Sequence, residues 1–502
     1  MKFEKFLLDD YMQTKEGKKV FAFFSNLKDI YFNDRERFFK FVNSLLEIDE
    51  AEKFFKCCWP NDEAFIMTES DWEIDKKIKS FKSFLDRKIQ HFNENKDFYS
   101  YCRWWIPFYS LIHFMKYPDY SFPYLYPSHF YKIAEICALF DIIIPPLPWK
   151  TKHFERACYY FEMCRAMYNF RLQHKLTPVE LAVFLYGFAP RFLSNFIKED
   201  LPEPNRIFML GASKDDVEGC LSGKINKDAI YLWQGSSEII AGDIILLYER
   251  APYKRFGSIW RAISPAFDDP FHGCPGKVFL GYAIQNIPEV TYNDLCKNKI
   301  WSKNKLIRCN MQGIGLNNYS VSYEEYEALK KLFKKKNRSF DLSILPEPPS
   351  YAQIFHSDLE NERDVEEQLL EPFLEKLGYD VKKEFVRQFP IRMGRGFNYY
   401  PDYALHATKK NDIESADFIW EAKYRIPTKK QLLEDFGQAH SYAVRLSCNG
   451  FGLVSMEGLW ISWKADDFSF EKLQKYSWQD LKNPDSFGKI KSLFYKLCKP
   501  KK

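Results

Sequence analysis

The hydrophobic and polar pattern of residues 1–200 reads as mostly helical, with long aromatic-rich segments. In PVELAVFLYGFAPRFL (178–193), Leu181, Leu185 and Phe188 fall on one helical face. The stretch DRERFFKFVNSLLEI (34–48) has the same aromatic-rich texture. Near residue 205 the pattern changes to short apolar runs broken by turn signals. These are AIYLW (229–233), AGDIILLYE (241–249), GSIWRAI (257–263) and KVFLGYAI (277–284). Strands at this spacing predict a small β-barrel or sandwich. A helix is predicted at SYEEYEALKKLF (322–333). The stretch FDLSILPEPPSYAQ (340–353), with Pro346, Pro348 and Pro349, sustains neither helix nor central strand and is predicted to be a linker.

Beyond the linker, Val365, Leu369, Phe373 and Leu377 recur every four residues in NERDVEEQLLEPFLEKLGY (361–379), a buried helical stripe. Gly378 is placed to end that helix, and Pro372 to kink it. Extended segments follow at 381–391, 397–407 and 416–424. A helix over 427–446 comes next, with Thr428 as its N-cap, and then strands at 450–456 and 459–463. The order is α-β-β-β-α-β. The expected layout is a multidomain α/β chain: a helical region over 1–200, a β-barrel domain over 205–337, a linker over 338–355 and a mixed domain over 356–502.

Length and composition agree, with 502 residues, 46% hydrophobic and 47 phenylalanines. Net charge is only +5, so no whole-chain polyelectrolyte argument holds, yet KKLFKKKNR (330–338) carries six cations and no acid. Such a run suits either solvent or a phosphate backbone. Twelve cysteines, with Cys57 and Cys58 adjacent, follow no disulfide or zinc spacing. Free thiols in a reducing cytoplasm are expected. MKFEKFLLDDYMQ lacks the pattern of a signal peptide, and AEICALFDIIIPPLPW (134–149) is too short and broken for a membrane span. His113, His129, His153 and His174 are too dispersed to form a ligand set.

The chemistry concentrates in FIWEAKY (418–424), which places a glutamate and a lysine in an apolar strand. The strand period of two puts Glu421 and Lys423 on one face. Pro401-Asp402 precedes Glu421 with 18 residues between Asp402 and Glu421. Hydrolysing a phosphodiester calls for a divalent cation and a group that orients or deprotonates water. A hard ion such as Mg²⁺ takes one or two carboxylates and keeps several waters. Glu16-Gly17-Lys18, Asp380-Val381-Lys382 and Asp480-Leu481-Lys482 repeat the tripeptide, and Pro118-Asp119 and Pro484-Asp485 repeat the dipeptide. The pair at 401 and 421 combines both halves with strand context. Two readings stay open on these residues: a metal site or an exposed strand salt bridge.

The stretch NYYPDYAL…DFIWEAKY resembles the PD-(D/E)XK nuclease superfamily, in particular the nuclease region that begins the motor subunit of type I restriction enzymes. NERDVEEQLLEPFLEKLGYDV resembles that family's first helix, its proline included. Gln438 and Tyr442 match a Q-x-x-x-Y element on the following helix, on one face with Asp435 and Gln431. GFGLVSMEGLWISW resembles the next hairpin and YSWQDLKNPDSFGKI the closing segment, so the likeness spans roughly 356–497. It implies Asp402 and Glu421 as Mg²⁺ ligands, with Mn²⁺ able to substitute and the Ala422 carbonyl a third donor. Lys423 would position or activate water. An acid on the first helix completes such sites: Glu362 fits the type I likeness and Glu367 a related branch, with Glu362 preferred. Gln438 and Tyr442 would contact DNA backbone or hold the lysine strand.

Residues 205–337 resemble the PUA-like superfamily, near its EVE branch, in AIYLWQGSSEIIAGDIILLYE, GSIWRAISPAFDDPF and RCNMQGIGLNNYSVSYEEYEAL. The likeness implies a Gly242-Asp243 turn into a central barrel strand and a pocket where aromatic faces sandwich a base. Trp233, Tyr248, Trp260 and Asp269 are its candidates; barrel core is the alternative reading. DDPFHGCPG after the third strand departs from the pattern.

Together these imply a base- or modification-sensing module joined to a Mg²⁺-dependent deoxyribonuclease of restriction or antiphage defence, acting on modified or foreign DNA. No G-x-x-x-x-G-K-[ST] is present, so no motor is expected. The helical region would be a scaffold, a homo-oligomer interface or a sensor of a partner protein. Two alternatives remain: a nucleic-acid-binding regulator with an inactive nuclease fold, or an RNA-directed nuclease.

Overall fold

A computed structural model describes residues 2–34, 36–38, 40, 79–94, 102–125, 130–149, 152–193, 201–214, 216–217, 230–271, 277–311, 314–351, 359–392, 398–410 and 413–498. The chain mixes helices with several sheets. Among the described residues no helix is long and apolar enough to cross a membrane. Contacts divide the chain into two compact units. The first comprises Met1–Asp200, Asn226–Ser237 and Ser264–Tyr282; the second comprises Leu201–Ile225, Glu238–Ile263 and Ala283–Lys502. The units therefore cut through the 205–337 segment that the sequence suggested as one domain.

In the first unit the expected helices are present, among them Lys15–Ser25, Phe81–Glu94, Cys102–Lys116 and His153–Gln173. Most of 34–48, along with Cys57, Cys58 and His129, lies outside the described residues. The 178–193 stretch opens with a reciprocal capping box between Thr177 and Glu180. It widens to a π-turn at Phe184–Phe188 and tightens to a 3-10 turn at Ala189–Phe192. Pro190 supplies the reason, having no N–H for the preceding turn and a ring that crowds it. Leu181, Leu185 and Phe188 are buried, as their spacing requires. The core is built from rings, with Phe3 centred 5.1 Å from Phe184 and 5.3 Å from Phe170.

In the second unit, Ile207–Ala212 pairs in parallel with Ile244–Glu249, which pairs antiparallel with Arg255–Ala262. Tyr319–Val321 pairs antiparallel with Ile207–Met209 and ends the sheet. Among the described residues this sheet has an open edge, a curled half-barrel where a small β-barrel or sandwich was expected. The Gly242-Asp243 turn does lead into a central strand. Gly242 has a φ of +94°, and a Cβ there would lie 2.7 Å from the Pro202 carbonyl oxygen. Asp243 is buried and accepts from the Ile240 and Arg206 amides. The proline-rich stretch is docked and not a free tether. Leu345 is buried, Tyr326 donates to the Pro346 carbonyl, and Lys330 pairs with Glu327 and Glu347.

The rest of the second unit carries the candidate chemistry. Helix α1 starts at Glu362–Val365, passes through a π-turn at Glu366–Leu370 and continues as Glu371–Leu377. Pro372 explains the π-turn, where the Glu371 amide reaches back to the Glu366 carbonyl. Gly378, at φ +107°, ends the helix. Strands β1 (Phe385–Arg387), β2 (Tyr403–Leu405) and β3 (Phe418–Ala422) precede helix α2 (Lys429–Arg445). Strands β4 (Gly450–Ser455), β5 (Gly458–Trp463) and β6 (Gln474–Ser477) follow, then helix α3 (Pro484–Leu497). The predicted α-β-β-β-α-β order is present, and the strands expected at 450–456 and 459–463 form β4 and β5; β6 and α3 follow, while Val381–Glu384, expected to be extended, is a helical turn.

The strands lie in sequence order, antiparallel except for β3 and β4, which run parallel because α2 carries the chain back between them. Alternation then sorts the side chains. Phe418, Trp420 and Ala422 point into a core with Val365, Leu369 and Phe373 of α1 and Phe487 and Phe494 of α3. Ile419 points to the opposite face, where α2 places Phe436, Ala439, Tyr442 and Ala443. Gly452 opposite Trp420 leaves room for the indole, since a Cβ there would lie 2.3 Å from its ring.

Candidate active site

Parity along β3 puts Glu421 on the α2 side of the sheet, and Asp402, just before β2, falls on the same side. The two motif halves meet through the backbone. The Ala422 amide donates to Asp402 Oδ2 at 2.7 Å, and Gln388 Nε2 donates to Asp402 Oδ1 at 2.9 Å. Gln388 also donates its amide to the Asp402 carbonyl at 3.1 Å. Each Asp402 oxygen keeps a lone pair for a further partner.

Glu421 is 2% exposed. Its Oε2 accepts from Gln438 Nε2 at 3.3 Å, while Oε1 is buried with no hydrogen-bond partner. Burial, and then the Asp402 charge, push its carboxyl from 4.5 to about 8. Burial likewise raises Asp402, against the Ala422 amide and Lys423. Lys423 Nζ donates to Glu362 Oε1 and to the Ala422 carbonyl, each at 2.9 Å, and lies 3.8 Å from Glu421 Oε2. Burial would lower its pKa, but the Glu362 pair and the Glu421 and Asp402 charges outweigh that and hold it raised. Asp402, Glu421 and Glu362 thus gather around one ammonium, leaving negative charge in excess. The reading of an exposed strand salt bridge describes the Lys423–Glu362 contact but not Glu421, which is buried.

Helix α2 covers the site with its Gln438 and Tyr442 face. Gln438 Nε2 also lies 3.2 Å from the Tyr442 hydroxyl, so the pair braces Glu421. One turn earlier, Asp435 Oδ2 is buried without a hydrogen-bond partner, and burial raises its carboxyl next to the charges of Lys423 and Glu362. The ring of Tyr399 lies 6.0 Å from that of Tyr442.

The two helix acids separate. Glu362 joins Lys423, whereas Glu367 turns to Arg363 at 2.8 Å and Arg387 at 3.7 Å and is not brought into the site. Glu366 had no role in the sequence reading. It pairs with Arg387 at 2.5 Å, and burial together with the Asp402 charge raises its carboxyl against that pair. Its signal was the four-residue step from Glu362, which puts both on one helical face. Gln388 had no comparable signal, because its approach to Asp402 depends on strand pairing.

The four residues named for an aromatic cage in 205–337 are all buried. Trp260 is buried and donates its Nε1–H to Ser258 Oγ at 2.7 Å. Tyr248 packs against Phe256 in the core of the second unit. Asp269 is buried, its Oδ1 accepting from the Phe271 amide and its carbonyl from Arg156. Trp233 and Asp269 belong to the first unit, Tyr248 and Trp260 to the second.

Among the described residues no group of three or more His, Cys, Asp or Glu side chains is disposed to hold a metal. What the site offers a hard cation is smaller: two carboxylates, one with an unpartnered buried oxygen, and the Ala422 carbonyl. That donor set fits Mg²⁺, which retains water in most of its positions.

No family model matches this chain, and no curated protein does. Among solved structures it is similar to the NMR structure of Rpa0253 from Rhodopseudomonas palustris. That match has 16% identity and a TM-score of 0.23, and covers 28% of this chain and 97% of the other. A likeness at this level carries no argument about fold or chemistry.

Proposed function

We propose that the segment from Leu359 to Cys498 is a metal-dependent nuclease that hydrolyses DNA phosphodiester bonds, with Mg²⁺ as its ion and Mn²⁺ as a substitute. The observation that carries this reading is Glu421 itself. Ionising a carboxyl 98% removed from solvent, with one oxygen unpartnered and a second acid beside it, is costly unless a cation completes it. Asp402, Glu421 and the Ala422 carbonyl would hold the ion, which supplies charge to the phosphate and acidity to a bound water. Lys423, steadied by Glu362, orients the attacking water and offsets charge on the phosphate oxygens. Gln438 and Tyr442 keep Glu421 in place. Tyr399 and Tyr400, each nearly half exposed, offer ring faces to a strand approaching the site. The biological reading that follows is restriction or antiphage defence.

The test incubates the full chain with modified plasmid, unmodified plasmid and RNA, with Mg²⁺ or with chelator, alongside Glu421→Ala and Lys423→Ala. Mg²⁺-dependent DNA cleavage that falls at least about a hundredfold in both variants supports the proposal. Cleavage of RNA alone would reassign the substrate. Binding without cleavage by any form would return the chain to the regulatory reading.

A further inference from the structure

The positive charge of this chain is gathered on one stretch of the second unit. Residues 292–338 hold eleven cations and four acids, an excess of seven, whereas the whole chain has a net charge of only +5. Packing then draws the two basic runs of that stretch together. Tyr292–Lys297, Trp301–Lys303 and Lys305–Arg308 form short helices beside the helix Tyr323–Lys336. At one end Lys336 pairs with Asp294 at 2.7 Å. At the other, Trp301 Nε1 donates to the Glu325 carbonyl at 3.0 Å and Asn304 Nδ2 donates to Glu325 Oε1 at 2.6 Å. The two segments thus lie side by side and antiparallel, over a core that includes Leu295, Trp301, Leu329 and Phe333.

The acids of this stretch leave most of its charge unanswered. Asp294 holds Lys336, Glu327 holds Lys330, and Glu325 is buried against Asn304 and the Tyr319 hydroxyl. Lys297, Lys299, Lys303, Lys305 and Arg308 are exposed and form no ion pair among the described residues. The same holds for Lys331, Lys334, Lys335 and Arg338. Accessible cations on two adjoining segments repel one another until counter-ions or a polyanion answer them. The carbonyl end of the helix steadies Lys334 and Lys335, but it does nothing for the five cations of the neighbouring segment.

We infer that this surface is a track for the phosphate backbone of double-stranded DNA, engaged by both basic runs without regard to base sequence. From Glu325 to Lys336 the helix advances about 17 Å, along which a duplex carries about ten phosphate charges. An anionic bilayer fits less well. Among the described residues no large apolar side chain is exposed between 292 and 338, and an interfacial helix needs an apolar face. A protein partner fits less well for a related reason, since the centre of such interfaces is poor in lysine and rich in aromatic contact. The choice of DNA rests on the nuclease reading of the same unit: the track holds the duplex that the carboxylate site cuts.

The experiment is fluorescence anisotropy of a short labelled duplex titrated with the full chain in chelator, so that cleavage plays no part. If about five phosphates are engaged, the logarithm of affinity falls against the logarithm of salt with a slope of about −4 to −5. Replacing Lys299, Lys303 and Lys335 together with glutamine should reduce that slope by about 3 and weaken binding about a hundredfold at about 0.15 M salt. The loss should be equal on duplexes of unrelated sequence, with circular dichroism unchanged. The charge control replaces Lys382, Lys464 and Lys482, exposed cations outside the track, and should stay within about threefold of the parent. A parent with this dependence supports the track even where it cuts no DNA, so failure of the nuclease reading is seen separately. Salt-insensitive binding, a track variant that binds like the parent, or an equal loss in the control overturns the inference. So does tighter binding of single-stranded RNA or of phosphatidylserine vesicles than of the duplex.

Discussion

Replacing Glu421 with glutamine removes a buried acid while keeping its shape, and the effect on stability should depend on pH in a definite direction. In the folded, metal-free chain the carboxyl titrates at about 8, against 4.5 when unconstrained. Between those values the folded state holds a proton that the unfolded state has released. Stability contributed by the neutral carboxyl is therefore lost as pH rises through this window. From pH 5 to pH 8 the loss amounts to roughly 3 kcal/mol. Glutamine has no proton to lose, so Glu421→Gln should match the parent at pH 5 and exceed it at pH 8 by about that amount. Asp243, pushed by burial to about 7, adds a similar trend, but it is common to both proteins and cancels in the difference. Hydrogen exchange of the 416–424 peptide in chelator, corrected for intrinsic rates, reads the opening free energy of β3 directly. Adding Mg²⁺ at pH 8 should protect the parent and leave the variant unchanged. A pH-independent difference, or a variant less protected at pH 8 than at pH 5 relative to the parent, would refute the argument.

Glu362→Ala should lower the cleavage rate about tenfold or more, because Lys423 loses its partner, while Glu367→Ala stays within about twofold of the parent; plasmid-nicking rates decide. Gln388→Ala removes a donor from Asp402 and should reduce Mg²⁺-dependent activity about tenfold with little change in melting, read by Mg²⁺ titration of the nicking rate. Gly452→Ala should destabilise the second unit by about 1–3 kcal/mol, read as a lower urea midpoint, because the added methyl meets the Trp420 ring.

Local rules written in the sequence decided much of the architecture. The four-residue apolar step from Val365 to Leu377 required a buried helical stripe. Gly378 required a stop that accepts positive φ, and Thr428 capped α2 as its side chain allows. The strand period by itself put Glu421 and Lys423 on one face. These features depend on neighbours a few residues apart, so they survive without knowledge of the fold. The helix acids were only partly legible, because the π-turn set by Pro372 decides which of Glu362, Glu366 and Glu367 faces the sheet. The pocket residues were less legible for a different reason. An aromatic pattern reports burial, but core and cage are the same pattern until packing is known; Trp260 and Asp269 are both buried.

The amino-acid sequence alone thus determined the helical and strand periods, the caps and stops, and the pairing of a carboxylate with a lysine on one strand face. The tertiary structure alone decided that Asp402 meets the Ala422 amide, that Glu421 keeps an unpartnered oxygen, and that Gln388 supports the site. Each of those depends on segments distant in sequence, whose meeting is set by sheet register and helix crossing and not by any local preference.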